Sequence, residues 1–207
     1  MNAVLAGGQR KYTRGLSYWL GQKKIRTNLL IMCALWLVAS FDYYLINYMA
    51  GHFKKAYSVV ITSQIAEMVA KVSGGVLFSL VGVRKGMFTV MLVASLAGTI
   101  MVVGGEELQA SNYFLVLILF AKWGAAGSIA IVYIAHSSIF PVMFAGTAIG
   151  YCNFSARVFS TAAPILAEAE QPIPTIVFAV ASGVACVLAL FLMTDSTEET
   201  KQTEAKW

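Results

Sequence analysis

Six apolar runs, each about as long as a bilayer is thick, dominate this 207-residue chain. A hydrocarbon core about 30 Å deep takes about 20 helical residues to cross. Runs of that length fall at 28–50, 57–81, 86–104, 113–135, 141–167 and 173–194. The segments Gly51-His52-Phe53-Lys54-Lys55, Gly82-Val83-Arg84-Lys85, Gly104-Gly105-Glu106-Glu107 and Glu168-Ala169-Glu170-Gln171-Pro172 put charge and helix breakers where the chain would meet water. The break from His136 to Pro141 is the weakest. With 58% hydrophobic and 12% charged residues, the chain cannot supply the polar surface of a soluble domain, where about a quarter of residues are charged. The sequence predicts an all-α integral membrane protein with a six-helix domain over 28–194. A basic, partly interfacial segment at 1–27, with Trp19 as a membrane-belt residue, precedes it, and a polar tail at 195–207 follows.

Basic loop residues set orientation. Arg10, Lys11, Arg14, Lys23, Lys24, Arg26, Arg84, Lys85, Lys201 and Lys206 fall on one expected side. Only Lys54 and Lys55 fall on the other, with Glu106, Glu107, Glu168 and Glu170. Both termini are therefore expected on the positive-inside face, in the cytosol or the mitochondrial matrix. The first acid of the chain is Asp42. A basic, acid-free start is read either as a topology determinant or as a mitochondrial address, so the mitochondrial inner membrane and the plasma or endomembranes both stay open.

Several chemistries are absent from the pattern. Cys33, Cys152 and Cys186 form no CxxC pair and no disulfide framework. There is no nucleotide-binding loop, zinc spacing or nucleophile triad, and His52 and His136 are expected at opposite membrane faces. The reading is no enzyme, no catalytic residue, no metal and no cofactor. The net charge of +5 reflects topology rather than nucleic-acid binding.

Ionisable residues inside spans are expensive, so their placement is informative. Span one carries Asp42, span two Glu67 and Lys71, span four Lys122 and span five Arg157; spans three and six carry none. Two charged helices and a clean one, repeated, predict two inverted three-helix repeats with the clean helices as lipid-facing supports. Glu67 and Lys71, spaced i,i+4 with the acid first, read either as a self-neutralised pair or as a ligand site. Asp42 is expected to meet a partner on a neighbouring helix, and Lys122 to snorkel toward a helix end. Glu67, Asp42 and Lys122 are thus candidate ion-pair partners. Arg157 has no acid within a turn and cannot lose its proton, which makes it the leading functional candidate. Gly146 and Gly150 form a GxxxG expected to pack against another helix.

These charged segments resemble the C-terminal half of a major facilitator superfamily transporter, of the organic ion solute carrier family. Ser138-Ile139-Phe140-Pro141 through Ala145 resembles the family's fourth-to-fifth connection, with the aromatic-Pro present but Ser138 and Ala145 where the family has an acid and a base. Ser155-Ala156-Arg157-Val158 through Pro164 is similar to the segment in which anion carriers hold an arginine and cation carriers an acid. Ala70-Lys71-Val72-Ser73-Gly74 resembles the anion carriers' lysine segment, Gly82-Val83-Arg84-Lys85 a weakened Gly-Arg-Arg loop, and Phe41 through Tyr48 an aromatic-rich stretch. The resemblance spans roughly residues 28–194. It implies an organic-anion cavity in which Lys71 and Arg157 would face the substrate.

That family's fold has two six-helix halves, and this sequence supplies one. Its charged face is expected to be covered by a second copy, by another six-helix chain or by a larger membrane complex. Two functions follow. The chain is a transporter-derived accessory subunit of a larger complex, favoured by the missing acid and base at Ser138 and Ala145. Alternatively it is half of an organic anion transporter, favoured by Lys71 and Arg157; an anionic lipid headgroup is a further candidate ligand.

Overall fold

A computed structural model describes residues 21–53 and 56–193. The basic segment before residue 21, with Trp19, lies outside the described residues, as do Lys54, Lys55 and the tail expected at 195–207. Helices make up nearly all of the described chain, and no strand occurs among the described residues. In chain order they are α1 (Lys23–Met49), a short 3-10 turn (Ala50–His52), α2 (Ala56–Ala110), α3 (Tyr113–Ile139), α4 (Val142–Ser160), α5 (Ala162–Ala167) and α6 (Ile173–Leu190). Among the described residues, four helical stretches are long and apolar enough to cross a membrane: Lys23–His52, Ala56–Gly105, Tyr113–Ile139 and Ile173–Leu190.

α2 is not one rod. Gly82 leaves helical geometry at φ 76° and ψ 178°, and Gly105 does so at φ 52°. Positive φ of this kind is open to glycine and strained for other residues. The contacts on either side of Gly82 run in opposite directions along α3. In the first arm, Glu67 meets Lys122, and a Cβ at Gly74 would lie 3.4 Å from the Gly127 carbonyl and from Ala130. In the second arm, Gly86 approaches Ile131, while Val90 and Ala94 approach Gly124. The chain therefore doubles back at Gly82, dividing α2 into antiparallel arms at 56–81 and 83–104.

Proline explains the other boundaries. Pro164 has no N–H to give the Ser160 carbonyl, and the helical path expected over 141–167 is divided there into α4 and α5. Pro141 opens α4, and Pro172 and Pro174 open α6. The weak break placed near His136 moves outward, because α3 runs on to Ile139. Ser137 and Ser138 stay inside that helix by donating to the Ile134 and Ala135 carbonyls at 2.8 and 2.9 Å, a local bond that hydroxyls make readily.

α2 packs most extensively on α3 and then on α6, while α1 packs on α3, α4, α5 and α6. Two apolar clusters fill the interior. One gathers Met32, Leu35, Trp36, Met91, Val132 and Phe144; the other gathers Leu45, Met49, Ala94, Ile118, Phe114 and Phe178. They meet on α1 at the level of Ser40 and Asp42. The outer surface is apolar too: Leu96, Ile100, Val180, Val184 and Val187 are all exposed. That surface suits lipid rather than water.

One polar clamp ties the last described residues to α1. The Asn28 side chain donates to the Met193 carbonyl at 2.9 Å and accepts the Met193 N–H at 3.1 Å. Asn28 is buried and makes both of these bonds to the Met193 backbone. Asn28→Ala is expected to destabilise by about 1–3 kcal/mol. A lowered thermal midpoint of the purified protein in detergent would show it, and an unchanged midpoint would remove the clamp from the list of stabilising contacts.

Candidate anion-binding face

α1, the first arm of α2, α3 and α4 place their polar side chains in one connected set. Tyr43 and Asn47 lie one turn apart on α1 and so share a stripe. The Tyr43 hydroxyl donates to Glu67 Oε1 at 2.8 Å. Lys71 Nζ lies 2.8 Å from the same oxygen, and Lys122 Nζ lies 3.1 Å from Oε2. Lys122 also donates to Asn47 Oδ1 at 2.5 Å and sits 3.9 Å from the centre of the Tyr43 ring. Glu67 is the hub that joins three helices.

A ring contact extends the set. Tyr43 meets Tyr44 edge to face at 5.3 Å. The Tyr44 hydroxyl accepts a hydrogen bond from Arg157 Nη1. Arg157 Nε reaches Asn153 Oδ1, one turn earlier on α4, at 3.4 Å. An unbroken chain of contacts thus runs from Arg157 through Tyr44, Tyr43 and Glu67 to Lys71 and Lys122.

The electrostatics are lopsided: the connected set holds three cations and one carboxylate, and only Lys71 and Lys122 contact that carboxylate. Lys122 is fully enclosed, at 0% exposure. It does not snorkel as expected, because a partner from the first arm of α2 and another from α1 surround it. Lys71 is the opposite case, with 63% of its side chain exposed beside Glu67 at 11%. Arg157 is exposed as well and has only neutral partners, a phenol and an amide. The face therefore presents two open cationic heads backed by tyrosine rings.

Two expected residues fall elsewhere. Asp42 makes no ion pair with the cations, and its Oδ2 accepts from Ser182 on α6 at 2.6 Å. Gly146 and Gly150 pack against nothing among the described residues; a Cβ at either would have open space within 4 Å. The face of α4 that does pack is Ala148, Cys152 and Ala156, all buried. Close packing occurs instead at Gly98 against Phe178 and Ala179, and at Gly124 against Val90 and Ala94. The second arm of α2 and α6, expected as lipid-facing supports, pack on each other along one side, with Ser95 donating to the Ala179 carbonyl at 2.9 Å.

Tyr43, Tyr44, Asn47 and Asn153 were not singled out from the sequence. The i,i+4 spacings Tyr43–Asn47 and Asn153–Arg157 are the signal that marks them. No protein-family model matches this chain, and no curated protein matches it.

Proposed function

We propose that this chain is a six-crossing membrane unit whose α1–α4 face binds an organic anion, and that it works against a second membrane unit. The observation that carries the reading is the pair of exposed cationic heads, Lys71 and Arg157, joined through Tyr44, Tyr43 and Glu67. An open ammonium and guanidinium facing hydrocarbon would cost several kcal/mol each. An anion in a cavity closed by a second unit, in the same polypeptide or another, offsets that cost. The tyrosine rings would accept the organic body and the cations its charge.

Two further features support the six-crossing form expected for half of a major facilitator fold. The reversal at Gly82 divides the longest apolar helix, and α4 with α5 makes the sixth crossing. Neighbour relations also repeat: α3 meets the first arm of α2 as α1 meets α4, and α3 meets the second arm as α1 meets α6. This pairing is what two inverted three-helix repeats would produce.

A specific observation favours the accessory-subunit reading as well. Gly146 and Gly150, one turn apart on α4, each have open space where a Cβ would stand, which leaves a notch that a partner helix in a larger complex could fill. Mass measurement of the intact particle released gently from its native membrane separates the two. A pairing with one other six-helix unit supports a carrier; a stoichiometric place in a much larger assembly supports a subunit. Arg157→Ala then tests the anion face, because its loss removes charge-assisted hydrogen bonds of about 1.5–3 kcal/mol each. In cells making the carrier pair, uptake across a panel of radiolabelled carboxylates and sulfonates should fall about 10–100-fold, with protein abundance unchanged. In the accessory case the same change lowers incorporation into the complex. If neither uptake nor incorporation moves, Arg157 has no role in either function.

A further inference from the structure

The contact between α1 and α6 contains a group that the anion face does not use. Asp42 is 0% exposed. Its Oδ2 accepts from the Ser182 hydroxyl at 2.6 Å, and its Oδ1 has no partner of any kind.

The helices packed on α1 offer no counter-charge. On α3, Lys122 is held by Glu67 and Asn47, and His136 stacks on Trp36 with its Nδ1 at the Val132 carbonyl. On α4, Arg157 is engaged with Tyr44 and Asn153, and Cys152 is a buried free thiol. α5 carries no titratable side chain. α6 carries no charged residue, and its one thiol, Cys186, is directed at the Phe88 carbonyl at 3.7 Å.

Magnitudes decide the state of the carboxyl. An ionised carboxylate taken into an apolar interior without a counter-ion faces a penalty of tens of kcal/mol in the ideal limit, and such groups neutralise instead. One hydrogen bond to a charged group returns only about 1.5–3 kcal/mol. We infer that Asp42 is a proton-binding site, a neutral carboxylic acid lodged in the seam between α1 and α6. Its hydrogen bond with Ser182 holds the acid across that seam. The proton leaves only when water reaches the carboxyl, which requires α1 to part from α6. The same turn of α1 carries Tyr43 and Tyr44, so a movement that releases the proton also displaces the tyrosines from Glu67 and Arg157. The inference rests on contacts within the chain and stands whether or not the face binds an anion.

The sequence makes the test clean. Asp42 and Asp195 are the only aspartates in the chain, so in an Asp195→Asn background an aspartate labelled with carbon-13 at its side-chain carboxyl reports Asp42 alone. The labelled full chain in lipid bilayers, followed by infrared and solid-state NMR spectroscopy from mildly acid to mildly alkaline pH, should show the protonated acid throughout. An ionised carboxylate signal at neutral pH in the folded protein would overturn the proposal. Ser182→Ala should shift the carbonyl stretching band upward by removing its hydrogen bond. A band unmoved by that change would place the acid elsewhere and equally overturn the proposal.

Discussion

Glu67→Ala is expected to be the most damaging single substitution in the chain. Lys122 is enclosed, and among the described residues Glu67 is the carboxylate that pairs with it. Without that acid, the ammonium keeps only the Asn47 amide oxygen and the Tyr43 ring. Leaving one member of a buried ion pair unpaired costs about 3–5 kcal/mol, a large share of the roughly 5–15 kcal/mol by which domains are stable. Glu67→Ala should therefore accumulate poorly and elute as aggregate after solubilisation. Adding Lys122→Met should restore a monodisperse, heat-stable protein, since replacing both members by apolar groups is often neutral or better. Lys71→Ala should barely change stability, because exposed pairs contribute about 0–1 kcal/mol. A fully stable Glu67→Ala protein would mean that Lys122 is not enclosed as the structure has it.

The second large effect is expected at Gly124. A Cβ there would lie 2.5 Å from the Val90 carbonyl oxygen, 2.7 Å from Ala94 Cβ and 2.9 Å from the Ala94 nitrogen. Two of these neighbours are backbone atoms and cannot swing aside, so α3 would have to separate from the second arm of α2. Gly124→Ala should cost about 1–3 kcal/mol, the usual toll of overpacking, and Gly124→Leu should prevent the bundle from closing. Gly127→Ala is the control one turn on. Its Cβ would meet the Val90 side chain alone, a methyl at 3.3 Å and Cβ at 3.8 Å, and its thermal midpoint should stay near that of the unaltered protein. Gly146→Ala should be neutral in the isolated chain and harmful only in an assembly where a helix docks on α4. Equal midpoints for Gly124→Leu and the unaltered protein would refute the close approach.

The contrast between Gly124 and Gly146 shows where sequence reading stops. The GxxxG at Gly146 and Gly150 carries a known packing pattern, yet it faces outward, while Gly124 and Gly98 make the tight contacts. Periodicity reports which residues share a stripe of one helix; it does not report which stripe meets a neighbour. The apolar helices, the breaks at Gly82 and Gly105 and the Glu67–Lys71 pairing were legible, because each depends on residues close together in the chain. Lys122 was a candidate ion-pair partner, and Glu67 pairs with it; its enclosure was not legible, since Asn47 and Glu67 lie 75 and 55 residues away. Asp42 was read as needing a partner on another helix, and it has one, but Ser182 is a hydroxyl 140 residues distant rather than a cation.

The clamp between Asn28 and Met193 carries a consequence for biosynthesis. Its two halves are 165 residues apart, and at translation rates of about 5–20 residues per second roughly 10–30 s pass between their emergence. Throughout that interval the Asn28 amide is without its partner, and the circle of helices is open on the side that α6 will close. The contacts of α6 with α1 and α2 therefore form only after the other described helices have been made.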